Sequence, residues 1–272
     1  MRTVLDASLY ENNPKRFQQI CDLSRKFMGV YCVNSIIGEN IFQVLSNYAR
    51  RNDVTLEILR YPFQDDELWA FTFLKKGTIF VCVNSELPQN KQVFAAAHEL
   101  YHIHCYVEDV DQNIIRSGSL LDSKTVDEAA NTQEDIEANA FAALLLMPDH
   151  LLNEQMMLYG LPKSNVAVDD ILALMDFFGT PYKAAVLRLY ESNNISKATA
   201  TELLSVPAED IQQRISLTGK AKRWMLDGRG IETFGSLEDN LDFNRKNELL
   251  TEPREAKDTS YLANLKKQLG IL

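Results

Sequence analysis

Residues 88–106, PQNKQVFAAAHELYHIHCY, are the stretch on which the reading of this chain turns. Proline at 88 suits the first turn of a helix, where its missing N–H costs no hydrogen bond. Phe94 and the run Ala95-Ala96-Ala97 make the following turns apolar and small, as a helix buried among other elements requires. His98 and His102 stand four apart, so their side chains stack on one helical face. Three of the chain's four histidines, His98, His102 and His104, fall in this stretch, and the fourth is His150.

Imidazoles at i and i+4 bring two nitrogens to one metal ion. Glu99 between them completes HELYH, the H-E-x-x-H pattern in which the glutamate takes a proton from metal-activated water. Two ordinary helical histidines bonded to carboxylates are the plainer alternative; spacing, glutamate and helical context together favour zinc, with Glu99 as general base. A catalytic zinc needs a third protein ligand and one open position. Candidates stand at the start of the next apolar helix, TQEDIEANAFAALLLMP at 132–148, which must pack in the core against the His98 helix. They are Glu134, Asp135 and Glu137, although carboxylates there also simply favour the helix dipole.

Working outward, residues 14–28 and 39–52 carry apolar positions at helical spacing. The period then changes. Residues 54–60, 68–75 and 78–84 are rich in β-branched and aromatic side chains, and Lys75-Lys76-Gly77 signals a hairpin turn. These segments predict a small antiparallel sheet. TIFVCVN at 78–84 reads equally as a core strand or as an edge on which an extended peptide could pair. The polar stretch 107–125 predicts a loop, and a helix is expected from about 126 to Met147, stopped by Pro148. Shorter helices are expected at 149–158, 167–178, 181–192 and 196–204, and a final one at 258–268. The organisation expected is a core at 1–148, a helical, helix-turn-helix-like subdomain at 149–204 and an extension at 205–272.

The 272 residues are 46% hydrophobic and 24% charged, enough for a buried core without disulfides, so a metal here serves chemistry rather than folding. A net charge of −10 with no Lys/Arg run longer than two argues against nucleic-acid binding. Within ILALMDFFGTPYKAAVLRLYE the second helix holds Lys183 and Arg188 and little else basic, which suits docking or packing better than reading DNA. Cys21, Cys32, Cys82 and Cys105 form no CxxC pair and read as reduced thiols. No apolar stretch approaches membrane-spanning length, and the N-terminus carries no hydrophobic leader pattern, so a cytoplasmic protein is expected. His104 lies on another face than His102, a surface or packing position with a substrate-side role as the alternative. Tyr101 and Tyr106 could serve an oxyanion or simply pack.

HELYH followed by EANAFAALLLMP resembles the ImmA/IrrE metallopeptidases, marked by HExxH and a later E-x-x-A-N-x-F-A ending in M-P. The resemblance covers roughly residues 20–200. It implies an α+β, zincin-like core in which two helices carry a zinc site, and a zinc endopeptidase acting on Xre-type helix-turn-helix repressors. His98 and His102 match the zinc histidines, Glu99 the base, and Asn139 the asparagine that steadies a zinc histidine. Asp135 falls where the family usually has glutamate. It shares a helical face with Asn139, Ala142 and Leu146, while Glu137 is turned away by about 200°. Asp135 is therefore favoured over Glu137 and Glu134 as third ligand. A regulator that binds a repressor without cleaving it is the alternative, kept alive by the shorter Asp135; a zinc hydrolase of small molecules or a toxin-like effector is a further one.

Overall fold

The computed structural model describes residues 4–63, 65, 67–108, 119–122, 132–161, 166–219, 224 and 233–268. The chain begins with short helices α1 (Val4–Ala7) and α2 (Leu9–Asn12), then α3 (Pro14–Tyr31) and α4 (Ile41–Arg51). Strands β1 (Thr55–Tyr61), β2 (Leu68–Lys75) and β3 (Thr78–Asn84) lead into α5 (Gln89–Val107), followed by β4 (Ser119–Asp122) and α6 (Gln133–Leu146). A helical run continues with α7 (Asp149–Leu158), α8 (Val168–Phe178), α9 (Tyr182–Glu191), α10 (Lys197–Leu204) and α11 (Ala208–Leu217). It closes with β5 (Thr233–Phe234), α12 (Ser236–Lys246) and α13 (Glu252–Gln268). The architecture is α+β, with a small mixed sheet flanked by helices in a zincin-like core.

The sheet order is β4-β2-β3-β1-β5. Antiparallel pairing holds for β2 with β3, whose two-residue turn sets Lys76 at φ 52° and Gly77 at φ 81°, the positive angles a tight hairpin needs. The first strand departs from expectation: β1 runs parallel to β3, from Thr55 opposite Thr78 to Tyr61 opposite Asn84. Because β3 lies between β1 and β2, the chain must cross its end. The buried Asn84 side chain pins that crossing, donating to Leu68 O at 3.0 Å and accepting from Phe63 N at 3.1 Å. TIFVCVN is thus an interior strand and offers no edge. The outer strand beside β2 is β4, which lies within the stretch expected as loop.

Helix α5 is buried almost throughout, from Asn90 to Ile103, and packs on β2, β3, α4 and α6. Its partner α6 begins at Gln133; residues 126–131, where the expected helix started, lie outside the described residues. Thr132 caps it, accepting from Asp135 N while the Asp135 side chain takes the Thr132 backbone N–H, a reciprocal cap worth about 1 kcal/mol. Small residues where these helices bury (Ala95, Ala96, Ala97, Ala138, Ala142) allow their backbones to approach closely.

Apolar residues gather in two cores. One joins α3, α4, the sheet, α5 and α6; the other joins Met147 to helices α7–α11 and Trp224. At the junction the fully buried Arg188 of α9 donates to Met147 O at 3.2 Å and to Glu191 at 2.9 Å, and also bonds Asp149. Of the two basic residues singled out in the second of the paired helices, Arg188 is therefore turned inward and paired with carboxylates. β5 adds to β1 at the far edge of the sheet, and the last helix begins at Glu252, earlier than expected, with no buried residue. The four cysteines are free, and no helix among the described residues is long and apolar enough to cross a membrane.

Candidate metal centre

The α5 helix presents His98 and His102 toward α6, with 0% and 2% of each residue exposed. Their Nε2 atoms lie 3.0 Å apart. The opposite nitrogens are engaged from α6: His98 Nδ1 meets Asn139 Oδ1 at 2.9 Å, and His102 Nδ1 meets Glu134 Oε1 at 2.6 Å. Both partners are oxygen acceptors, so each Nδ1 carries the proton and donates it. The two Nε2 atoms are left facing one another, on the side where a metal ion could be held.

Asp135 brings the third atom of the cluster, an oxygen. Its Oδ1 is 3.6 Å from His102 Nε2 and 4.0 Å from His98 Nε2. Ligand atoms on a tetrahedral zinc at about 2.0–2.1 Å sit roughly 3.3 Å apart, a value these separations bracket. The three ligand atoms lie within 4.8 Å of one another, and His98, His102 and Asp135 can hold a metal ion. Two imidazoles and a carboxylate suit zinc and leave one position open.

Charge supports the same reading. Burial and the neighbouring His102 hold the His98 imidazole well below its usual range, so it is neutral and its lone pair is available. Burial also opposes protonation of His102, but the Glu134 hydrogen bond and the charges of Glu99, Glu134 and Asp135 outweigh it and raise its value. Three carboxylates around one ring attract positive charge to it.

Glu99 is fully buried on α5 one residue beyond His98, and its Oε2 accepts the Thr72 hydroxyl of β2 at 2.6 Å. The sheet thus sets the orientation of this carboxylate while α6 sets the imidazoles.

The remaining acidic candidates point elsewhere. Glu134 is on the Nδ1 side of His102, away from the converging atoms. Glu137 faces the opposite side of α6, where Oε2 accepts from Arg16 and from Tyr101, each at 2.6 Å. Tyr101 is committed to that ion pair and so is turned from the cluster. His104 packs in an aromatic group with Phe27 and meets the Tyr48 hydroxyl at 3.1 Å; Tyr106 packs partly buried against the core, and His150 is exposed on α7. Sequence reasoning missed Thr72, Thr132 and the bond from Glu134 to His102. The T-x-x-D spacing at 132–135 was a readable capping signal; Thr72 carried none.

Comparison with known proteins agrees with this architecture. No match is found among curated proteins. The sequence model of the IrrE N-terminal-like domain matches residues 51–190, which hold the sheet strands β1–β4, both site helices and the first helices of the second core. With that match spanning just over half its length, the chain belongs to the IrrE N-terminal-like family.

Proposed function

We propose that the chain is a zinc-dependent endopeptidase with His98, His102 and Asp135 as metal ligands and Glu99 as general base. The observation that carries this reading is the convergence of two imidazole Nε2 atoms and one carboxylate oxygen beside a glutamate oriented from the sheet. A zinc ion bound there supplies Lewis acidity toward water and the scissile carbonyl. Glu99 takes the proton from the attacking water and returns it to the leaving amine. Asn139 and Glu134 keep both rings presenting Nε2. An extended peptide would pair with the outer edge of β4, whose Ser119 lies in register with Thr72.

The substrate we propose is a regulatory protein, in the first instance an Xre-type helix-turn-helix repressor, encountered in the cytoplasm. Membership of the IrrE N-terminal-like family supports it. A second reading, a regulator that binds its repressor without cutting it, draws on the complete burial of His98 and Glu99.

The test is metal analysis of the purified chain beside His98→Ala and Asp135→Ala, followed by incubation with candidate repressors. About one zinc per chain, lost in both variants, with repressor cleavage lost in Glu99→Gln, is the expected outcome. Zinc present with every repressor bound but intact favours the second reading. Absence of zinc after metal is supplied overturns the first.

A further inference from the structure

Among the described residues, the hydrogen bonds that Asp135 accepts all fall on one of its two oxygens. Oδ2 takes the Thr132 hydroxyl at 2.6 Å and the Thr132 backbone N–H at 3.2 Å, while Oδ1 faces the two histidines. The same Thr132 oxygen accepts the Asp135 N–H at 3.2 Å. One threonine therefore both caps α6 and fixes the rotation of the carboxylate.

We propose that Thr132 is a positioning residue of the metal centre: its hydroxyl clamps Asp135 so that the carboxylate binds through Oδ1 alone. The inference rests on the zinc reading of the cluster. Its physical content is the coordination number. A carboxylate free to turn can offer both oxygens to a cation, and the second would occupy the position that substrate and water need. Two donors on Oδ2 draw its charge toward the α6 N-terminus and hold that oxygen away. The clamp also explains how aspartate serves where one more methylene is usual. The short side chain is held at a set angle by a residue three positions earlier, so little freedom remains to be lost when metal binds.

Capping and clamping can be separated by substitution. Serine keeps the hydroxyl and preserves both. Glycine caps a helix about as well as threonine and keeps the backbone N–H, but it has no hydroxyl for Oδ2. The experiment uses the full chain as wild type, Thr132→Ser and Thr132→Gly. Circular dichroism of the metal-free proteins checks the fold, Zn2+ affinity is read by chelator competition, and visible absorption is recorded on the Co2+ forms. The expected result is wild-type affinity and spectrum for serine. For glycine we expect binding weaker by about tenfold or more and a weaker Co2+ band, as a fifth ligand atom enters. Unchanged affinity and spectrum in Thr132→Gly, or equal losses in both variants, would overturn the clamp and leave the zinc site standing. A wild type that binds neither ion overturns the zinc reading itself.

Discussion

Thr72 of β2 donates its hydroxyl to Glu99 Oε2 across 2.6 Å, and both residues are fully buried. The bond crosses from sheet to helix and sets the direction of the carboxylate proposed as general base. Thr72→Val keeps the shape and removes the donor. Metal content should be unchanged, peptidase turnover should fall by up to about a hundredfold, and stability should fall by about 1–3 kcal/mol. Metal analysis, turnover and chemical denaturation measure the three separately; full turnover in Thr72→Val would remove the orienting role.

Glu134 and Asp135 are adjacent but serve different atoms, one at His102 Nδ1 and the other beside Nε2. Glu134→Gln keeps an acceptor for the ring and loses the charge that makes the imidazole a stronger donor to metal. Zinc affinity should weaken about 10–100-fold without abolition. Chelator competition gives the number. Complete loss, equal to that of His98→Ala, would make Glu134 a ligand.

On the opposite face of α6, Glu137 ties α3 to α5 through Arg16 and Tyr101. Burial alone would raise its carboxyl, but the bonds from Arg16, Tyr101 and Gln133 outweigh it and hold it below the usual carboxylate range. A lowered folded value means that this contribution is full above the unfolded pKa and is lost as pH falls through the lower folded one. Glu137→Gln should therefore cost about 1–3 kcal/mol at neutral pH, and the gap to wild type should close as pH falls through the lowered range of this carboxyl. Denaturation midpoints across pH test this, and a gap independent of pH would refute it.

The C-terminal segment is held to the sheet edge at Gly235. Glu57 of β1 accepts Ser236 N at 2.6 Å and also the Ser236 hydroxyl, closing the start of α12. Gly235 has φ 59° and ψ −137°, a conformation almost exclusive to glycine, and a Cβ there would lie 2.2 Å from Glu57 Oε2. Gly235→Ala should cost about 2–3 kcal/mol, chiefly by loosening this attachment. Proteolysis after Thr233 should speed up while zinc content stays the same. Cleavage as slow as in wild type would contradict the account.

Legibility followed the range of the interactions. His98, Glu99 and His102 were readable because their relation is a helical repeat of four residues, which no tertiary contact alters. The choice of Asp135 over Glu137 was an argument of helical phase, and the structure does turn them to opposite sides of α6. The hairpin at Lys76-Gly77 was equally local. What depends on β3 lying between β1 and β2 was not: three β-rich segments in a row look alike whether adjacent strands pair or one crosses another.

The amino-acid sequence by itself thus determined the helices from α3 to α10, the turn between β2 and β3, and the residue types offered to a metal. These follow from propensity, periodicity and short-range hydrogen bonding. Only the tertiary structure decided that β1 runs parallel to β3, that Thr72 reaches Glu99, and that Glu134 serves a ring nitrogen. Those outcomes depend on how closely α5 approaches α6 and the sheet. That distance is set by the packing of side chains remote in the chain, such as Ala97 and Ala138, and no local pattern encodes it.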